Sequence, residues 1–178
     1  DYILLGTMDD GVLRSDNYGE KWSDLNSGLL DLYILSLAVT AQGLLYVGTE
    51  TGLFNSRNGG KSWQKTASNI KSPILSLATI EEDVLVATES GQLLRVSSEN
   101  DSMTTLFTSD NAINALELSQ NNHLAILDDT TIMVSQDSGQ SWSQPEVQVE
   151  DVLALAWADD NALIVGSMNG ILATVDIE

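Results

Sequence analysis

Several residue types are scarce in this chain, and each scarcity excludes a class of protein. There is no cysteine among the 178 residues, which excludes disulfides and thiolate metal sites. His123 is the only histidine, so a zinc site lacks a second imidazole, and we predict a turn or surface position for this residue. No apolar run approaches the roughly 18 residues that a transmembrane helix needs. We therefore expect no cofactor, no metal site and no membrane insertion.

Basic residues are also scarce, and the resulting charge limits the choice of partners. The chain has 26 acidic and 7 basic residues, for a net charge of -19. Such a chain repels nucleic acid and anionic membranes and favours cationic partners, cations or simply solubility. The hydrophobic content of 43% is high enough for one sizeable folded core.

Short apolar runs recur along the chain at a nearly constant interval. Ile34-Leu35-Ser36-Leu37 returns at positions 74, 113 and 152, in steps of 40, 39 and 39 residues. Two further apolar series follow each copy, for example Leu45–Thr49 and Gly52–Ser56, and turn residues bound all of them. This is the pattern of strands rather than helices. Four strands in about 40 residues predict an all-β propeller of four-stranded antiparallel blades.

We predict one propeller domain or propeller segment over residues 1–178, with blades at about 1–28, 29–68, 69–108, 109–148 and 149–178. The first blade lacks its first strand and the last lacks its fourth, which gives 18 strands where five whole blades need 20. Unpaired edges such as Ile3–Thr7 and Ile171–Val175 invite pairing. Either the natural chain continues, or two copies join edges, or the ends are modified. We expect a fragment of a larger propeller or an edge-paired assembly.

A second repeat has the form Ser, any, Asp or Asn, any, Gly, any, any, Trp. The Asp or Asn side chain suits an Asx-turn with the N–H two residues on, the Gly allows positive φ, and the Trp suits a core anchor. The motif occurs three times, and the third blade has lost it. The residues are Ser15, Asn17, Gly19 and Trp22; Ser56, Asn58, Gly60 and Trp63; and Ser135, Asp137, Gly139 and Trp142.

This motif resembles the Asp-box, or BNR repeat, of sialidase-type β-propellers. The resemblance implies that the boxes lie on the face away from an active site and stabilise the blades. Sialidase chemistry requires three converging arginines, a Tyr–Glu pair and an Asp. The three arginines here are Arg14, Arg57 and Arg95, and none falls where the family's substrate pocket lies. We therefore expect no catalytic residues in this chain.

The Gly-Thr-x-x-Gly hairpin before Ser-x-Asn-x-Gly is typical of non-catalytic relatives, the photosystem II assembly factor (YCF48-like) and Vps10-type propellers. That resemblance implies a non-enzymatic scaffold for proteins or peptides, in an extracellular, periplasmic or lumenal compartment. The alternative is a segment of a glycan-acting, sialidase-like hydrolase or a lectin whose catalytic residues lie outside this chain.

Carboxylates recur in the loops between the second and third strands of the blades. We predict that these loops form an acidic ring on the face opposite the boxes, which binds a basic peptide, a Lys/Arg-rich protein segment or a divalent cation. Acidic residues also occur in the loops of the other face, at 81–83 and 159–160, so a solvated surface is the simpler interpretation. The candidate residues are Asp9, Asp10, Glu50, Glu89, Asp128 and Asp129.

Overall fold

The computed structural model describes residues 2–129 and 131–177, and these residues form strands, turns and irregular connections. They make five antiparallel sheets of three or four strands, and no helix occurs among them. No helix of this part of the chain is long and apolar enough to cross a membrane. The all-β architecture predicted from the repeat is therefore confirmed.

Each sheet is formed by strands that are consecutive in sequence, and neighbouring strands pair in sequence order. The first sheet contains β1 (Ile3–Gly6), β2 (Val12–Ser15) and β3 (Ser23–Asp24). The second contains β4 (Ile34–Val39), β5 (Leu45–Thr49), β6 (Gly52–Ser56) and β7 (Gln64–Thr66). The third contains β8 (Ile74–Ile80), β9 (Asp83–Thr88), β10 (Gln92–Val96) and β11 (Met103–Thr108). The fourth contains β12 (Ile113–Leu118), β13 (Leu124–Asp128) and β14 (Thr131–Ser135), and the fifth contains β15 (Val152–Asp159), β16 (Ala162–Ser167) and β17 (Leu172–Asp176).

The four strands that begin with the Ile-Leu-Ser-Leu series share an irregularity. In β4, β8, β12 and β15 the register shifts by one residue next to the first apolar position, which leaves an extra residue out of the ladder. These extra residues are Leu35, Leu75, Asn114 and Leu153. Because a bulge bends a strand and increases its twist, its recurrence gives each of these sheets the same local curvature.

The hydrophobic core is divided into layers that lie between consecutive sheets. In β5, Leu45 and Val47 pack towards Val12 of the first sheet, whereas Tyr46 packs towards Val86 of the third. Strand residues point alternately to opposite faces, so a strand between two sheets is apolar along most of its length. This explains why the middle strands have continuous apolar runs rather than alternating ones.

The chain forms 17 strands in the described residues rather than the 18 predicted. The missing strand is the fourth strand of the fourth sheet, where pairing is reduced to one bridge between Val134 and Ser143. Pro145 follows two residues later, and proline has no N–H to donate to a ladder. The segment after Trp142 therefore leaves the sheet after a single bridge.

Candidate functional site

The predicted acidic loops lie at equivalent places in successive sheets. They are the tips of the β1–β2, β5–β6, β9–β10 and β13–β14 hairpins, and the β16–β17 hairpin has Met168 and Asn169 there. We call the surface formed by these tips the hairpin face. Its exposed carboxylates are those of Asp9, Asp10, Glu50, Glu89 and Asp129.

The connection that enters a sheet runs beneath the hairpin of that sheet and holds it. The backbone N–H of Glu89 donates to the carbonyl of Pro73, and that of Met168 donates to the carbonyl of Asp151, both at 2.9 Å. The corresponding Asp129 N–H donates to the carbonyl of Ala112 at 3.2 Å. Because the same kind of contact recurs, the hairpins of the third, fourth and fifth sheets are fixed in equivalent orientations.

In the second sheet, the side chain of Asp31 holds the β5–β6 hairpin in place of a backbone carbonyl. Its carboxylate accepts hydrogen bonds from the N–H and hydroxyl of Thr51, at 3.0 and 2.8 Å, and from the N–H of Tyr33, at 3.0 Å. Burial opposes ionisation of Asp31, but these hydrogen bonds outweigh it and the pKa of Asp31 is lowered. The carboxylate is therefore a fixed negative charge beside Glu50.

Asp128 does not belong to the exposed ring, which differs from the sequence-based prediction. It is the last residue of β13, it is buried, and one of its carboxylate oxygens accepts a 2.6 Å hydrogen bond from the Ser109 hydroxyl. The other oxygen has no hydrogen-bond partner within the part of the chain that the structure describes. Asp128 lies at the register position of Thr49 and Thr88, whose side chains turn back onto their own hairpins. Only its neighbour Asp129 reaches the surface.

The two faces differ in how their carboxylates are neutralised. The ion pairs found in residues 2–129 and 131–177 join Arg14 to Asp16 and Arg95 to Glu81 and Asp83, all on the face of the boxes. On the hairpin face, the Lys65 ammonium donates to the carbonyl of Thr51 at 2.8 Å rather than to a carboxylate. The exposed carboxylates of the hairpin face therefore keep their negative potential.

The connections add acidic residues to the hairpin face that the sequence-based prediction missed. They directly precede the first strand of a sheet, and this position is the sequence signal that identifies them. The same connections also contain Lys71, which reduces the charge beside the third sheet. The additional acidic residues are Asp31, Asp110, Glu150 and Asp151.

The three boxes form the same hydrogen-bond network on the opposite face. In the second sheet, the buried Ser56 hydroxyl donates to Asn58 Oδ1 at 2.9 Å and accepts from the Gly60 N–H at 2.9 Å. Asn58 Oδ1 also accepts from the Ser62 N–H at 2.9 Å. The boxes that begin at Ser15 and Ser135 repeat all three bonds, with distances of 2.7 to 3.0 Å.

This network differs from the simple Asx-turn that the sequence suggests. The Asx oxygen accepts from the N–H four residues on, whereas the glycine N–H two residues on donates to the serine hydroxyl at 2.7 to 2.9 Å. In the third box, hydrogen bonds from the Ser141 hydroxyl and N–H and from the Ser135 hydroxyl lower the pKa of Asp137 to about 2. The geometry supports a structural role for the box residues, which stays a prediction.

The box tryptophans connect neighbouring sheets to different degrees. Trp63 is buried, and its indole N–H donates to the carbonyl of Leu25, the residue that directly follows β3 of the preceding sheet, at 2.6 Å. Trp142 makes the corresponding bond to the carbonyl of Leu106 at 3.0 Å. Trp22 has no sheet before it in the described residues and is 39% exposed. The same motif position is therefore an inter-sheet contact in two boxes and an open surface in the first.

Comparisons with known proteins identify the fold but not the family. No protein-family model and no curated protein sequence matches the chain. Solved structures do match. The extracellular domain of BT4673 from B. thetaiotaomicron aligns over 98% of this chain and 26% of its own, with a TM-score of 0.79 and 18% identity. An ancestral GH74 enzyme aligns over 92% of this chain and 25% of its own, with a TM-score of 0.78 and 18% identity. YCF48 bound to D1 peptide aligns over 98% of this chain and 67% of its own, with a TM-score of 0.73 and 12% identity.

The fold is a β-propeller. The chain spans about a quarter of the BT4673 domain and of the GH74 enzyme. At these identities the likeness shows the fold alone, so the resemblance to the Asp-box family stays a prediction.

The arginines that a sialidase site would require do not converge in this propeller. Arg14 pairs with Asp16 and donates to the carbonyl of Gly59 at 3.0 Å, whereas Arg57 donates to the carbonyl of Ser98 at 2.7 Å. Arg95 pairs with acidic residues of its own sheet. Each guanidinium therefore binds a separate acceptor on the face of the boxes.

A small cleft lies between the fourth and fifth sheets on the face of the boxes. It has a volume of about 290 Å³ and is lined by Trp157, Ser119 and Asp159 among others. The ring of His123 meets Trp157 edge-on with ring centroids 6.0 Å apart, and its Nδ1 lies 3.0 Å from the carbonyl oxygen of Asp160. Because that oxygen only accepts, Nδ1 carries the proton. His123 thus joins two sheets through its ring and one polar contact. No group of three or more His, Cys, Asp or Glu residues suited to a metal ion occurs in the described ranges.

Proposed function

We propose that this propeller is a non-enzymatic interaction module that binds a Lys/Arg-rich peptide or protein segment through its hairpin face. The observation that carries the proposal is that exposed carboxylates, which form no ion pair with another described residue, recur at one hairpin position in four successive sheets. A ring of like charge focuses potential and speeds the arrival of a cationic partner.

An extended basic segment suits this arrangement better than a divalent cation. The carboxylates lie on separate sheets, one or two for each hairpin, whereas a cation needs several oxygens at one point. A peptide can instead place successive basic side chains over successive hairpins. The solved structure of YCF48 contains a D1 peptide, which supports peptide binding by a propeller of this kind.

The experiment compares two variants with the same change in net charge. In the hairpin variant, Asp10→Asn, Glu50→Gln, Glu89→Gln and Asp129→Asn remove four negative charges from the hairpin face. In the control variant, Glu20→Gln, Glu82→Gln, Glu99→Gln and Asp159→Asn remove four from the opposite face. None of these eight carboxylates forms an ion pair within the described residues, so both variants should fold.

Binding of a synthetic peptide of alternating arginine and glycine residues is then measured by calorimetry. Exposed charge contacts contribute roughly 0.2–1 kcal/mol each, so the hairpin variant should bind about ten-fold more weakly. The wild-type affinity should also fall between about 0.05 and 0.5 M salt, since the contacts are accessible to solvent. Equal losses in both variants, or a loss in neither, would show that the acidic ring is only a solvated surface.

A glycan-acting segment or a lectin is the second candidate, favoured by the likeness to the GH74 enzyme. It predicts binding of a neutral oligosaccharide that neither set of substitutions weakens and that salt does not affect. A titration with neutral oligosaccharides tests it, and saturable binding at low salt and high salt alike would favour this candidate over the peptide.

A further inference from the structure

The two terminal sheets each leave one apolar face uncovered, and the two faces are of opposite kinds. Within every inner sheet, one set of strand residues faces the preceding sheet and the alternate set faces the following sheet. Leu45 and Val47 belong to the first kind, whereas Tyr46 and Leu53 belong to the second. Every junction in this chain therefore joins one face of each kind.

The first sheet exposes the face that elsewhere packs on a preceding sheet. Ile3 and Leu5 lie at the register positions of Leu45 and Val47, because Ile3 pairs with Ser15 as Leu45 pairs with Ser56. Their side chains and that of Trp22 are 39% to 47% exposed. The equivalent residues of the second sheet are buried, and they are Leu45, Val47 and Trp63.

The fifth sheet exposes the face that elsewhere packs on a following sheet. Ile164 and Leu172 lie at the register positions of Tyr46 and Leu53. Their exposed fractions are 42% and 77%, whereas Tyr46 and Leu53 are buried. The most exposed leucine of this sheet thus occupies a position that the repeat otherwise places in the core.

We propose that the free face of the first sheet docks on the free face of the fifth sheet of a second copy of this chain. The argument is that each internal junction already shows this pair of faces in contact, with the same register positions and residue types. The centre of each face is apolar in a chain whose net charge is -19. Carboxylates lie at the margin of each face, Asp24 with Asp9 and Asp10 close to it on the first sheet and Asp176 on the fifth.

Tyr18 supports the same contact independently. It is almost fully exposed at the tip of the first box, at a position where the box turn has a positive φ in all three copies. The equivalent residue of the second box is Gly59, whose carbonyl accepts a 3.0 Å hydrogen bond from Arg14 of the preceding sheet. Tyr18 therefore lies at the box position that, in the second sheet, contacts the preceding sheet. In the proposed assembly, β17 of the second copy takes the place of that preceding sheet beside Tyr18.

The contact joins unlike surfaces, so association is head-to-tail. Such an interface leaves one free face at each end of every assembly, and growth continues unless the geometry closes a ring. The assembly should grow with protein concentration. It should strengthen with salt, because the margins are both acidic, whereas peptide binding at the hairpin face should weaken.

The experiment uses the full chain and two variants that each disable one face. Leu5→Lys alters the first sheet, and Leu172→Lys alters the fifth. Sedimentation velocity over a range of concentrations should show wild-type assemblies, and each variant alone should be monomeric. An equimolar mixture of the two variants should form a dimer and nothing larger, since one intact face of each kind remains.

The control is Met168→Lys, which places the same charge at an exposed apolar residue of the β16–β17 hairpin, outside both faces. It should assemble like the wild type. If Leu5→Lys or Leu172→Lys lowers the midpoint of thermal unfolding, the experiment is repeated with Leu5→Gln and Leu172→Gln. A wild-type chain that stays monomeric at all concentrations overturns the proposal, and so does a dimer formed by either variant alone.

Discussion

Replacement of Trp63 by alanine is the sharpest test of the inter-sheet role assigned to the box tryptophan. The side chain is 3% exposed, packs in the core between the first and second sheets, and donates a 2.6 Å hydrogen bond to the carbonyl of Leu25. Removal of a large buried aromatic costs about 3–5 kcal/mol. With a urea dependence of about 2 kcal/mol/M, the unfolding midpoint should fall by roughly 1.5–2.5 M.

Trp22 provides the matched control, because it has the same motif position and no preceding sheet among the described residues. It is 39% exposed, so Trp22→Ala should cost about 1 kcal/mol or less. Trp63→Phe separates packing from the hydrogen bond and should cost about 1–2 kcal/mol. Urea unfolding followed by far-UV circular dichroism measures all three. Equal midpoint shifts for Trp22→Ala and Trp63→Ala would refute the reasoning.

Four further predictions concern backbone fit and ionisation. A Cβ at Gly28, where φ is 82°, would lie 2.3 Å from the Trp63 carbonyl oxygen, so Gly28→Ala should lower the unfolding free energy by more than about 1 kcal/mol, measured by urea titration. Ser141→Ala removes the hydrogen bond from the Ser141 hydroxyl to the Asp137 carboxylate, so an NMR titration should show the pKa of Asp137 rising from about 2 towards 3.8. The lowered pKa of Asp137 stabilises the fold above about pH 3.8, and this contribution is lost as the pH falls towards 2. Burial raises the pKa of Tyr46 from 10.0 to about 12, so the free energy of unfolding should decline as the pH rises from 10 to 12. An alkaline absorbance titration measures the ionisation of Tyr46, and urea unfolding at each pH measures the stability.

The strands and their grouping into sheets were largely predictable from the sequence, and the reason is physical. A strand packed on both faces is apolar along most of its length, so residues 45–47 and 124–127 stand out as short runs between turns. Because every sheet packs on the next, the runs repeat with the period of the sheet. The bulges beside Ile34 and Ile74 carry no such signal, since they are defined by the pairing register between strands rather than by composition.

Features that depend on neighbours could not be predicted from a local pattern. Trp22 and Trp63 share one motif, but only the structure shows which of them has a sheet to pack against. Asp128 and Asp129 are adjacent acidic residues, and strand register alone decides that one is buried and the other exposed. Pro145 was visible in the sequence, but its effect on the fourth strand depends on where the ladder needs a donor.

The most direct test of the proposed function is to map the peptide on the protein by NMR. A uniformly labelled chain is titrated with the arginine–glycine peptide, and backbone amide shifts are followed at low salt. The account predicts that the largest shifts occur at Asp9, Asp10, Glu50, Glu89 and Asp129 and disappear at high salt, while the box loops at 15–22, 56–63 and 135–142 stay unchanged. Shifts centred on the box loops, or spread evenly over both faces, would contradict it.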